Sequence, residues 1–182
     1  MVRALHATQF MAGTLATVLC IGLSGCSWAS RGSGRDEAEK DVAFSVSDVA
    51  ARLKSEVPAS KVGKALTSED LATVGVLHLL DAHEQAADSA LHTGEVVVFE
   101  SSGDGTRSRV QFWTYQEATI DSVFSTTARA YGCGSLTLAA DRSVTLADSE
   151  CPGWVTARFP SSTIRVVSLE EVLTKQKGRT TW

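Results

Sequence analysis

The sequence predicts an α+β domain, with helices packed on a mostly antiparallel sheet. Three observations carry that prediction. Helical periodicity dominates the front of the folded part, a β-hairpin signal sits at mid-chain, and short strand-like segments crowd the last third.

The elements follow in order. Ser27 to Lys40 is polar and small, ending in an acidic patch, and reads as a flexible tether. About 14 residues of that kind have a root-mean-square reach of roughly 20 Å. The fold is expected to start at Val42. Ser45, Ser47 and Asp48 offer N-cap oxygens for a short helix, Val49 to Glu56, stopped by Pro58. A loop runs to Lys64. Thr67, Ser68, Glu69 and Asp70 then open a longer helix. Its apolar side carries Val76, Leu77, Leu80, Ala87 and Leu91, and Gly94 ends it.

Glu95 to Glu100 reads as a strand, Ser102-Gly-Asp-Gly105 as a hairpin turn and Val110 to Tyr115 as the return strand. Alternation sends Val110 and Phe112 to one face, and Gln111, Trp113 and Tyr115 to the other. Ile120, Val123, Phe124, Thr127 and Tyr131 recur at helical spacing, so a helix closed by Gly132 is expected. Strands follow at Ser135 to Ala139, Val144 to Ala147, Val155 to Phe159 and Ile164 to Val167, the first two joined by a turn at Asp141-Arg142. A short helix, Leu169 to Lys175, leads to the tail.

The first 25 residues differ from everything after them. Arg3 and His6 form a weakly positive start. An uncharged apolar run follows, from Phe10 to Leu23, shorter than the roughly 20 residues a spanning helix needs. The run closes on Leu23-Ser24-Gly25-Cys26. This resembles the lipobox of bacterial lipoproteins. The resemblance implies diacylglycerol on the Cys26 thiol, cleavage between Gly25 and Cys26, and a further acyl chain, palmitate, on the new amino terminus. Two or more chains give stable anchoring. It divides the chain into a removed leader (1–25), a lipidated cysteine with its tether (26–41) and one folded domain (42–182). It also places the domain on the extracytoplasmic face of the cell membrane, with the membrane as its partner through that lipid. Arg outnumbers Lys by 11 to 6 and no Asn occurs. That composition suggests a GC-rich genome and resembles small, uncharacterised actinobacterial lipoproteins.

Loss of Arg3 with the leader leaves a formal charge of −5 where the whole chain has −4. Scattered cations on an acidic chain argue against nucleic-acid binding. Of four cysteines, only Cys133 and Cys151 remain for the domain. In an exported protein, such a pair is expected to form a disulfide. The alternatives are a free nucleophilic Cys133, which needs a His and a carboxylate beside it, or a redox or zinc site, which prefers closer spacing.

Candidate chemistry is sparse. His78, Asp81, Gln85, Asp88 and His92 fall on one stripe of the expected second helix. A solvated face is the simple reading. His78 and Asp81 are the pair that would hold a metal, since His78 to His92 spans about 21 Å, too far for one ion. The His-Glu-x-x-His pattern and Gly-x-Ser-x-Gly are absent. Trp113 and Tyr115 share a strand face and could stack on a sugar ring. Alternatively, they pack under the following helix. Trp154 beside Cys151-Pro-Gly is expected to pack on the disulfide.

No cofactor is expected. The favoured function is a non-catalytic binding, sensing or accessory module facing an envelope protein or a cell-wall ligand. A helix ending just before a disulfide-linked strand resembles, in architecture, extracellular sensor domains of actinobacterial kinases. A small envelope hydrolase and a structural subunit of a membrane complex are the alternatives.

Overall fold

A computed structural model describes residues 34–74, 77–79, 94–120, 126–159 and 164–177. The leader, the lipobox and Trp28 lie outside the described residues.

The first helix, α1, runs Gly34–Glu56. It therefore starts eight residues before Val42, and residues 34–41, expected as tether, belong to the fold. Asp36 and Glu37 in its first turn and Lys54 in its last complement the helix dipole. Ala38, Val42, Ala43, Val46, Val49 and Leu53 repeat at three- and four-residue steps, and all are buried. The acidic composition concealed this helix because one of its acids is itself buried. Glu39 is only 4% exposed. Arg165 and Lys175 reach its carboxylate at 2.7 and 2.9 Å, which compensates the burial. Ser45 and Asp48 are thus mid-helix and not caps. Ser45 Oγ accepts from Gln116 Nε2 at 2.8 Å, and Asp48 accepts from Arg52 Nε at 2.9 Å.

A one-turn 3-10 helix at Ala59–Lys61 leads to a loop whose backbone lies directly on the hairpin tip. Gly63 is at φ +89°, and a Cβ there would sit 2.4 Å from the Gly105 carbonyl oxygen. Ser108 locks this crossing. Its hydroxyl accepts from the Gly63 N–H at 3.0 Å and donates to the Lys64 carbonyl at 2.6 Å.

Helix α2, Ser68–Val74, starts where the sequence places it. Thr67 and Asp70 bond reciprocally: the Thr67 N–H donates to Asp70 Oδ2 at 2.9 Å, and the Asp70 N–H to Thr67 Oγ1 at 3.2 Å. The expected continuation to Leu91 does not hold. Leu77–Leu79 is a strand, β1, parallel to β2 (Val96–Gly103). Pairing with a free sheet edge overrides helix propensity here. Residues 80–93 lie outside the described part.

β2 and β3 (Arg107–Ile120) form the expected hairpin, with a bulge between Val98 and Glu100. β3 then pairs along its whole length with β4, Thr126–Ala139. The helix expected over Ile120 to Tyr131 is therefore the end of one strand and the start of the next; residues 121–125 are not described. Thr119, Thr126 and Thr127 are β-branched and suit a pleated surface. The pairs Tyr115↔Tyr131 and Glu117↔Arg129 are made only across strands. The likeness to kinase sensor domains rested on that helix and falls with it.

The far edge of β4 is shared. β5 (Val144–Asp148) pairs antiparallel with Gly134 to Leu138, and β6 (Arg165–Val166) pairs parallel with Ala130 and Tyr131. Between them, Gly153–Arg158 is a short helix, α3, where a strand was expected. Val155 and Phe159 are both buried at an i, i+4 spacing, which one helical turn satisfies as well as alternation does. The last helix, α4, spans Leu169–Lys177.

The sheet, in order β1-β2-β3-β4-β5 with β6 beside β4, separates two cores. On one face α1, α2 and α4 bury Val96, Val98, Val110, Phe112, Leu136 and Leu138. On the other lies a smaller, aromatic core. This is the α+β fold with a mostly antiparallel sheet that the sequence predicts. No helix of the described residues is long and apolar enough to cross a membrane.

Candidate functional site, an aromatic face under a disulfide-held lid

The second face of the sheet is built from directly opposed pairs on β3 and β4. Glu117 faces Arg129, Tyr115 faces Tyr131, Trp113 faces Cys133 and Gln111 faces Ser135. Side chains alternate along a strand, so these eight share one surface. Aromatic rings occupy its middle and polar groups its two ends. In β2, Phe99 lies two residues from Val97 and packs on the same core.

One segment covers the rings. Cys151 is linked to Cys133, with Cα atoms 5.2 Å apart, which bears out the expected disulfide. From that link, α3 carries Val155 and Phe159 over the face. The Phe159 ring centre lies 4.6 Å from Tyr131, 5.2 Å from Tyr115 and 5.7 Å from Trp113. Its plane is within 27° of Tyr131 and 17° of Tyr115, both stacked arrangements. Trp154 meets Phe99 edge-on at 6.0 Å and carries Arg158 over its ring. It and Cys151 both pack against this core.

Trp113 and Tyr115, singled out for sugar stacking, are consequently 2% and 8% exposed. Phe159 lies on them, so of the two readings, open stacking face or packing, the rings are packed. They do not pack under a helix spanning Ile120 to Tyr131, because Ile120 ends β3 and Thr126 to Tyr131 belong to β4. Phe159 and Tyr131 complete the cluster and were not singled out from sequence. Tyr131 was legible only through its register with Tyr115, and Phe159 only through its spacing from Val155.

The electrostatics follow from the pairing. The Tyr115 hydroxyl donates to Glu117 Oε2 at 2.9 Å, and Arg129 Nε donates to the same oxygen at 3.0 Å. Both bonds hold the Glu117 carboxyl below its ordinary range. Burial, then the neighbouring carboxylate, pushes the Tyr115 phenol up; burial alone does so for Tyr131. Two buried polar atoms have no partner among the described residues, Trp113 Nε1 and Ser149 Oγ. Both flank the disulfide.

Beside the lid, a depression of about 520 Å³ opens between α3 and the start of α4. Tyr131, Cys151, Ser149, Glu150, Gly153 and Thr156 line it, along with Asp148. The Asp148 carboxylate is already committed, accepting from the Leu169 N–H at 2.7 Å and the Ser168 hydroxyl at 2.6 Å. His78 is in β1, Asp81 lies outside the described residues, and no group of three metal-ligating side chains occurs among the described residues.

What the fold and site define is an α+β domain with helices on one sheet face and a disulfide-held lid over aromatic residues on the other. Comparison with protein families, curated proteins and solved structures gives no match for this chain.

Proposed function

We propose that this chain is a lipid-anchored, extracytoplasmic binding module, without catalysis of its own, for a polar ligand of the cell envelope. The depression beside the disulfide carries the binding part of this reading. It is open to solvent, of a size suited to a small ligand, and lined by hydroxyls, a free rim carboxylate at Glu150 and the buried, unpartnered Ser149 Oγ. The address rests on the lipobox at Leu23 to Cys26, and the disulfide accords with an oxidising compartment.

Gly153 provides the test. A Cβ there meets nothing within 4 Å, and Gly153 lines the depression, so Gly153→Trp places bulk at its wall. The mature lipidated chain on lipid nanodiscs is expected to retain solubilised cell-wall fragments, and the Gly153→Trp chain to lose that retention. Equal retention by both removes the depression from the reading; none by either removes the wall ligand.

A further inference from the structure

We infer that the depression beside the disulfide takes an organic cation, a primary ammonium carried on a short apolar stem. The inference rests on the binding-module reading and names the ligand class of that same site.

The wall of the depression is acidic. Asp148, Ser149 and Glu150 are consecutive, and all three line it. Their Cα atoms span at most about 7 Å, a distance that one small charged group can bridge. Two of the three are carboxylates, and no Lys, Arg or His is among the described residues that line the depression. Neither carboxylate is paired with a cation among the described residues. Arg165, next to Val166 in the chain, reaches Glu39 of α1, and so does Lys175 of α4. A third carboxylate stands beside Asp148, because Glu170 Oε1 accepts from the Asp148 N–H at 3.3 Å. Like charges gathered without a counter-ion favour a cationic ligand and disfavour an anionic one.

An ammonium offers three donors and needs acceptors for them. Glu150 is exposed and accepts no hydrogen bond among the described residues. Asp148 Oδ2 accepts one, from the Ser168 hydroxyl, and a carboxylate oxygen has room for another. The Ser149 hydroxyl oxygen is buried and has no partner among the described residues. No bond holds it in its rotamer, so it is free to turn to a ligand. A bond made there relieves the cost of the unmet group.

Val166 specifies the stem. It is one of two large apolar side chains exposed among the described residues, at 54%, and it lines the depression. Both cysteines of the disulfide line it too. Methylene groups laid over such a wall remove apolar surface from water. A bare metal ion has no use for that surface, and among the described residues no three metal-ligating side chains meet there. A neutral ligand would leave the two carboxylates without a counter-ion.

The test is a saturation-transfer NMR titration of the mature lipidated chain on nanodiscs, read against empty nanodiscs. Pentylammonium is expected to bind, and pentanol and pentanoate to give no response at the same concentration. Glu150→Gln is expected to weaken pentylammonium about threefold, the size of an exposed ion pair. Val166→Thr keeps the branched shape and is expected to weaken pentylammonium about threefold while leaving methylammonium unchanged. Nα-acetyl-lysine methylamide separates two sources of the same chemistry. Binding as tight as that of pentylammonium assigns a lysine-type side chain of a peptide, and weaker binding assigns a free amine; both support the site. No response to pentylammonium overturns the inference. So does an equal response to pentanol, displacement by calcium, or a response that Glu150→Gln or Gly153→Trp leaves unchanged. The wall-fragment measurement stands apart: retention lost in Gly153→Trp, with no ammonium response, keeps the binding module and removes the cation class. Ammonium binding without wall-fragment retention keeps the cation site and removes the wall ligand.

Discussion

Arg142, in the turn between β4 and β5, donates from its guanidinium to the Val57 carbonyl at 2.6 Å, and a second N–H reaches the Lys54 carbonyl. These carbonyls lie at the end of α1, where the backbone has run out of helical donors. A cation there also suits the negative end of the helix dipole. Arg142 adopts φ 67°, a left-handed conformation.

That geometry makes Arg142→Asn an informative substitution. Asn tolerates positive φ, so the change removes the guanidinium without adding backbone strain. We expect a loss of about 1–2 kcal/mol of stability, read as a lower denaturation midpoint in urea. Gly at the same position should lose a similar amount. A midpoint unchanged in both would show that the contact contributes nothing.

Leu169 and Gly134 form a second pair. A Cβ on Gly134 would lie 2.7 Å from Leu169 Cδ1, and one on Gly132 2.6 Å from its Cδ2. The glycines leave the hollow in β4 that the α4 leucine fills. Gly134→Ala should destabilise by about 1–3 kcal/mol through overpacking, and Leu169→Ala by about 2–5 kcal/mol through the cavity it leaves. The double variant should cost less than the sum, since each change relieves the other. Additive costs, measured by equilibrium unfolding of all four chains, would mean that the two do not share this space.

Acid should reveal Asp70. The Lys61 ammonium, at 2.8 Å, and the Thr67 N–H hold its carboxyl at about 2, against an ordinary 3.8. A carboxyl whose pKa is lower folded than unfolded adds stability that is fully present above the unfolded value. That contribution fades as pH falls from about 4 through about 2. Allowing for the part-exposed Lys61, it amounts to about 1–2 kcal/mol. Asp70→Asn should lower stability by that much at pH 7 and flatten the fall between pH 4 and 2. A variant that loses stability as steeply as the parent across that window would place the acid sensitivity elsewhere.

Cys26 tests the proposed address. Its replacement by Ala should move the protein from the membrane to the soluble fraction, without palmitate labelling. The Cys133–Cys151 disulfide should still form, because those residues lie in the folded part. A membrane fraction that keeps the variant through a salt wash would overturn lipid anchoring. Because α1 starts at Gly34, residues 34–41 belong to the fold and not to the proposed tether.

Several local features were legible in advance because local chemistry determines them. The cap at Thr67 and Asp70, the turn at Asp141-Arg142 and the helix from Leu169 stand where residue types require them, and the hairpin forms with its turn at 104–106, Ser102 and Gly103 of the expected turn being paired strand. Ile120 to Tyr131 and Val155 to Phe159 were read in the wrong period. Short apolar stretches satisfy both helical and strand spacing, and only their partners choose between the two.

The sequence by itself determined the class of fold, the two faces of the hairpin strand and the pairing of Cys133 with Cys151. These follow from alternation, turn residues and composition, which act over a few residues or over the whole chain. The tertiary structure alone decided that Glu39 is buried, since its partners Arg165 and Lys175 are over a hundred residues away. It alone decided that Trp113 and Tyr115 lie beneath Phe159. A ring's exposure depends on what the rest of the chain lays over it, and nothing in its own neighbourhood records that.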